Sequence, residues 1–170
     1  MTIAHLNTLD RDAFVDALGW IFEGSPWVAE RAWTRRPFAS AEALHQAMID
    51  VVRQASGPEQ LALLRAHPDL GTRARISDVS TGEQRSVGLD RLGADEYGRL
   101  QRLNGEYRRR FGFPFLFAVK GSTKEDLMTA LEARIGRSAD EELTEALGQV
   151  YRIAAFRLED VLRGSSGTTE

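Results

Sequence analysis

Cysteine is absent from this chain of 170 residues, which excludes disulfides, thiolate metal sites, iron–sulfur clusters and a cysteine nucleophile together. Lysine is nearly absent: Lys120 and Lys124 stand alone, so 20 of the 22 basic residues are arginine. Schiff-base and pyridoxal-phosphate chemistry needs a lysine in the pocket, and two lysines leave little room for it. Histidine occurs only at 5, 45 and 67, with no HxH or HxxxH spacing, so no metal site is expected. No run of 18 apolar residues is present, and Met1-Thr2-Ile3-Ala4-His5 is not a basic leader; the expectation is a soluble, cytoplasmic protein. The end Thr168-Thr169-Glu170 is not a peroxisomal Ser-Lys-Leu signal. With 25 carboxylates against 22 cations the formal charge is -3, a poor match for phosphate backbones or anionic lipid, so neither nucleic acid nor membrane is expected as a partner. The chemistry left to the chain is that of histidine, carboxylates and arginine.

What is present is helical periodicity. The length suits one domain with its own core, and the pattern predicts an all-α, compact single-domain bundle of about eight helices. From Asp10, Phe14, Leu18, Ile21 and Phe22 recur at helical spacing. His5, before that stretch, falls in a loose amino terminus on this reading. Ser25 caps a short helix from Trp27 to Arg35, with Pro26 at its first position. Ser40 opens a third helix carrying Leu44, Met48, Val51 and Val52, and Pro58 starts a fourth that runs to His67-Pro68. Three Ser-x-x-Glu capping boxes are legible, at Ser80 to Glu83, Ser122 to Glu125 and Ser138 to Glu141. Helices are predicted over 94–110, 124–135 and 139–163. Residues 1–163 form the expected domain, and the small polar segment 164–170 is an expected disordered tail. One segment breaks the helical period: Phe111, Phe113, Phe115 and Phe117 alternate around Gly112 and Pro114, predicting an extended connection whose backbone groups need partners and can line a pocket.

Few residues stand out chemically. His67 shares the face of Leu63 and precedes a proline, so it sits where the chain leaves a helix; it reads either as a helix-end cap or as a proton-transfer group. Glu83 reads either as half of a capping box or, with Gln84, as part of an anion site at a helix start. Arg157 follows Val150 and Ala154 at +7 and +3 and precedes Val161 by four, which turns a guanidinium toward the core. It must snorkel outward or meet an anion such as a carboxylate or a urea-like group. Arg108-Arg109-Arg110, near Asp95, Glu96 and Glu106, reads as a solvated face.

Several stretches taken together resemble one family over nearly the whole chain. They are His67-Pro68-Asp69-Leu70-Gly71, Ser80-x-x-Glu83-Gln84 with Gly88-Leu89, Asn104-x-x-Tyr107 leading to Phe111-Gly112-Phe113-Pro114-Phe115, and Ile153-Ala154-x-x-Arg157-Leu158. Ser25-Pro26-Trp27 and Arg36-Pro37-Phe38 add to them. In this order they resemble the 2-oxo-4-hydroxy-4-carboxy-5-ureidoimidazoline (OHCU) decarboxylases. The resemblance implies an all-helical, commonly dimeric, cofactor-independent lyase that forms (S)-allantoin in urate degradation. It implies that His67 and Glu83 are catalytic, that Pro68, Ser80, Gln84 and Arg157 bind substrate, and that backbone at Phe115, Leu116, Phe117 and Ala118 completes the pocket wall. A substrate that carries its own electron sink agrees with a chain so poor in lysine. The alternative reading is a non-catalytic helical module that binds a ureido or carboxylate ligand through Arg157, with His67 as a cap.

Overall fold

Nine α-helices and one 3₁₀ turn account for the regular structure of residues 1–71, 78–85 and 88–164, which the computed structural model describes, the side chains of 78–81 aside. No strand occurs among these residues. The expected tail therefore lies, from 165 onward, outside the described residues. Contacts divide the chain into two compact units, Met1–Ala66 with Tyr151–Glu170, and His67–Val150.

The first unit contains α1 (Ile3–Thr8), α2 (Arg11–Leu18), α3 (Trp27–Trp33), α4 (Ala41–Gln54), α5 (Gly57–Arg65) and the end of the last helix. Four of these helices start on a side-chain cap. Thr2, Asp10, Ser40 and Ser56 accept from the amides of His5, Ala13, Ala43 and Glu59, and each such cap contributes about 1 kcal/mol. At Ser56 the box is complete, because the Glu59 carboxylate in turn accepts from the Ser56 amide at 3.2 Å. Helix α3 packs against both α2 and α4, over a core that includes Phe14, Leu18, Val28, Leu44 and Met48.

Three expectations change here. His5 is not in a loose terminus: it lies in α1, whose Leu6 is fully buried. Six residues are too few to show a period or to hold a helix alone, and tertiary contacts hold this one. Asn7 exchanges hydrogen bonds with the backbone of Phe38 at 2.9 and 2.8 Å, and the Arg36 guanidinium, stacked on Trp33, donates to the carbonyls of Asn7 and Leu9. Helix α2 stops at Leu18, so Ile21 and Phe22 reach the core from a turn. Ser25 does not cap α3, because its hydroxyl donates to the Glu23 carbonyl at 3.0 Å and Pro26 takes the cap position.

The second unit contains α6 (Asp78–Arg85), the 3₁₀ turn Leu89–Arg91, α7 (Ala94–Phe111), α8 (Lys124–Ile135) and the first part of α9 (Ala139–Arg163). Helices α7 and α8 pack together, with Leu100, Tyr107, Leu127 and Leu131 buried. Helix α9 begins as its box predicts, the Ser138 hydroxyl accepting from the Glu141 amide at 3.2 Å. The other two boxes are misplaced in the sequence reading. Ser80 is the third residue of α6, which starts at Asp78; residues three apart are also neighbours inside a helix, so the pattern alone does not locate a start. The box on α8 sits one residue later, between Thr123 and Asp126, because Ser122 belongs to the preceding turn and bonds the Val119 carbonyl.

Candidate active site

His67 follows the end of α5, where the Ala66 amide closes the last turn on the Ala62 carbonyl at 3.0 Å. Proline at 68 stops further helix. The imidazole is buried, with only 6% of the residue exposed. The chain beyond it is fastened at three successive residues. Asp69 pairs with Arg108 at 2.9 Å, the Leu70 carbonyl accepts from the Asn104 amide at 2.9 Å, and the Gly71 amide donates to Gln84 Oε1 at 2.8 Å. Gly71 itself has φ +73°, and a Cβ there would stand 2.3 Å from Leu100 Cδ2, so any larger residue is strained and displaces Leu100. Gln84, expected as a substrate ligand, therefore commits its carbonyl to the backbone after His67. Glu83 and Pro68 are both half-buried. Ser80 lies on α6, and the connection 72–77 lies outside the described residues.

The phenylalanine segment runs from Gly112, which ends α7 in a left-handed conformation with φ 79°, to the turn at 120–121. Phe111 ends α7 rather than opening the extended run, and within the segment the Phe115 and Phe117 rings stack at i and i+2, which places alternate side chains on one face, as extended backbone does. Backbone groups of this segment need partners, and two of them are met by side chains of α8 and α9. Arg134 donates from NH1 to the Leu116 carbonyl at 2.6 Å, and the Ala118 amide donates to Gln149 Oε1 at 2.8 Å. Arg134 is itself buried, with its guanidinium carbon 4.5 Å from the centre of the Phe115 ring. Its Nε donates at 2.7 Å to Glu142 Oε1, the oxygen that also accepts from the Tyr107 hydroxyl at 2.6 Å. Burial, reinforced by the Glu142 carboxylate, pushes the Tyr107 hydroxyl well above the ordinary range for a phenol.

In the other unit, Arg157 is buried, with 2% of the residue exposed. It neither snorkels nor lacks an internal partner: NH2 pairs with Glu23 at 2.9 Å, and NH1 donates to the carbonyls of Trp20 and Ile21 at 3.3 and 3.2 Å. These carbonyls follow the end of α2, where backbone acceptors are left without helical donors. His45 also has an internal partner, its Nε2–H donating to the Tyr151 carbonyl at 2.8 Å. The three arginines at 108–110 are exposed, as a solvated face requires.

Sequence reasoning missed Arg134, Glu142 and Gln149. The signal was available, because the phase argument that singles out Arg157 applies to each of them. Arg134 follows Leu127 and Leu131 at +7 and +3, while Glu142, Ala146, Gln149 and Val150 share the buried side of α9.

The fold and these latches define an all-α protein in which two irregular segments, fixed by buried polar side chains, carry the candidate chemistry. The chain belongs to the OHCU decarboxylase family, whose profile matches residues 7–159. The 2-oxo-4-hydroxy-4-carboxy-5-ureidoimidazoline decarboxylase of Halalkalicoccus jeotgali is 48% identical over 170 residues, covering 100% of this chain and 97% of its own length. The decarboxylase of the same name from Haloferax volcanii is 49% identical over 160 residues, covering 94% and 95%. Among solved structures, an (S)-allantoin synthase superposes with a TM-score of 0.79 at 31% identity, over 95% of this chain and 54% of its own, so this chain spans about half of that one. An OHCU decarboxylase crystallised in the presence of (S)-allantoin has a TM-score of 0.71 at 22% identity, covering 89% of this chain and 98% of its own, a likeness of fold.

Proposed function

We propose that this protein decarboxylates OHCU to (S)-allantoin and that His67 and Glu83 are its catalytic residues. The observation that carries the reading is a buried histidine at a helix end, with the following turn latched at Asp69, Leu70 and Gly71, in a chain that matches two OHCU decarboxylases over 97% and 95% of their length.

The chemistry asks for orientation more than for a reactive group. The bond from the ring carbon to the carboxylate breaks heterolytically and CO2 leaves. The electron pair moves into the adjacent unsaturated carbon–nitrogen unit of the ring, and a proton returned to the ureido-bearing carbon from one face gives a single enantiomer. In this scheme His67 engages the hydroxyl and carboxylate of the substrate, and Glu83 orients the imidazole. Pro68, Ser80, Gln84, Arg157 and the backbone of Phe115, Leu116, Phe117 and Ala118 form the binding groups. Because Gln84 Oε1 already accepts from Gly71, its amide N–H₂ is the part left for a substrate oxygen. The reading extends to a homodimer in the cytoplasm, the dimer following the family resemblance; light scattering on the purified protein tests that state.

The test of the activity generates OHCU in place from urate with urate oxidase and hydroxyisourate hydrolase, adds this protein, and follows circular dichroism. The expected result is rapid appearance of the (S)-allantoin signal; a slow racemic course equal to the protein-free control refutes the activity. In His67→Asn, turnover falls by about a hundredfold or more while (S)-allantoin affinity stays near wild type. Full activity in that variant removes His67 from the mechanism.

A further inference from the structure

We propose that Arg134 and Gln149, braced by Glu142 and Tyr107, are positioning residues that set the Phe115 to Ala118 strap and decide which of its peptide groups face the substrate. The proposal rests on the reading above that this strap lines the substrate pocket.

A buried ion pair is a poor way to stabilise a core. Taking Arg134 and Glu142 out of water costs several kcal/mol per ion, and apolar residues of the same volume often do as well or better. What an apolar pair cannot do is donate to the Leu116 carbonyl. Glu142 Oε1 fixes the Nε edge of the planar guanidinium, and that leaves NH1 aimed at Leu116, 2.6 Å away. The Tyr107 hydroxyl holds the same oxygen of Glu142 from a second side, and Arg137 NH1 lies 3.4 Å from the other. Gln149 is braced in a similar way, since its Nε2 donates to Glu145 at 2.8 Å and its Oε1 is thereby turned toward the Ala118 amide.

The two clamps act on alternate residues. In extended backbone the N–H and C=O of residues i and i+2 leave the chain on one edge, and those of i+1 on the other. Leu116 and Ala118 are held on the edge facing α8 and α9, so the N–H and C=O of Phe117 point to the opposite edge. Among the described residues neither has a hydrogen-bond partner. One donor and one acceptor from a single residue match the N–H and C=O of a cyclic amide or ureido group, the way one strand residue matches another across a ladder. A slip of the strap by one residue would turn that pair inward and present Leu116 and Ala118 instead. Arg134 and Gln149 forbid the slip.

The decisive variant is Gln149→Met, which keeps length and volume but removes the acceptor for Ala118. A second is Arg134→Met combined with Glu142→Met, which removes both charges together so that neither is left buried alone. For each, amide hydrogen exchange at Ala118, KM and kcat with OHCU, (S)-allantoin affinity and Tm are measured. The expected result is faster exchange at Ala118 with KM for OHCU and Kd for (S)-allantoin both raised about tenfold, equivalent to about 1.4 kcal/mol, while kcat and its pH profile change little. A merely structural role would lower Tm and leave KM and Kd of the folded protein at wild-type values, and that outcome overturns the proposal. Unchanged exchange at Ala118 also overturns it, since the clamp would then not hold the strap. If one variant fails to fold, the other decides. If the wild-type protein does not turn over OHCU, the parent reading fails, whereas Ala118 exchange and (S)-allantoin affinity still judge the clamp.

Discussion

The Arg157 guanidinium is gripped at 2.9 Å by a Glu23 carboxylate whose side chain is 12% exposed, and by two carbonyls beyond α2. Arg157→Ala takes these partners away inside the first unit, so the expected loss is about 3 kcal/mol of unfolding free energy, read by urea titration. An arginine kept only for a ligand would leave that titration unmoved. Helical phase identified the residue but not its partner, because Glu23 lies in a turn with no period to read. At Gly71 the constraint is steric. Gly71→Ala combines a left-handed φ with a clash against Leu100, and the expected cost is about 1–3 kcal/mol. Turnover per folded molecule should fall as well, because the Gly71 amide is one of the three latches on the segment that carries His67. Unchanged kcat in the folded fraction would show that this latch does not matter to the chemistry.

Elements were legible in proportion to their length and to how sharply they start. Helices α8 and α9 run between the bounds that periodicity predicts, because both have long apolar stripes and a polar cap beside a glycine or serine turn. The 3₁₀ turn and α1 went unread, being three and six residues long and held by partners distant in sequence. Capping boxes behaved least well as signals. The one completed by Ser56 and Glu59 hides behind Gly57-Pro58, which reads as punctuation, whereas the one read at Ser80 is interior to α6. The candidate site was half legible for a related reason. His67 and Arg157 are conspicuous by position, but Gln84 and Asn104 act on backbone that only the folded chain brings to them. Ser56→Ala is expected to lower stability by about 1 kcal/mol, and a denaturation curve indistinguishable from wild type would remove the box from the account of α5.

For the molecule as a whole, stability should fall at both ends of the pH scale for identifiable reasons. The hydrogen bond from Arg31 holds Glu59 down to about 2 from an ordinary 4.5. Its contribution is therefore complete above pH 4.5, where the unfolded chain also ionises, and is lost as pH drops toward 2. The pair is exposed, so salt should weaken the effect, and Glu59→Gln should flatten that part of the curve. Tyr107 acts in the opposite direction. Burial keeps its hydroxyl protonated in the folded state, whereas the unfolded chain releases that proton near pH 10, so stability declines as pH rises beyond 10. Tyr107→Phe should reduce that decline, as followed by Tm against pH, the remainder falling to Tyr151, whose hydroxyl burial also pushes up. A curve that stays steep in the variant would assign alkaline unfolding to other groups.

The boundary between the two units falls inside α9, between Val150 and Tyr151, so one unit is continuous in sequence and the other is not. A ribosome delivers residues in order, and this order has a consequence for assembly. The segment His67–Val150 has every residue of its own unit as soon as Val150 emerges. The segment Met1–Ala66 is made first yet must wait for the last stretch of helix, which brings the Tyr151 carbonyl to His45 and Arg157 to the carbonyls beyond α2. The earliest part of the chain is thus among the last to be completed, and during synthesis its apolar faces are the ones that wait longest for cover.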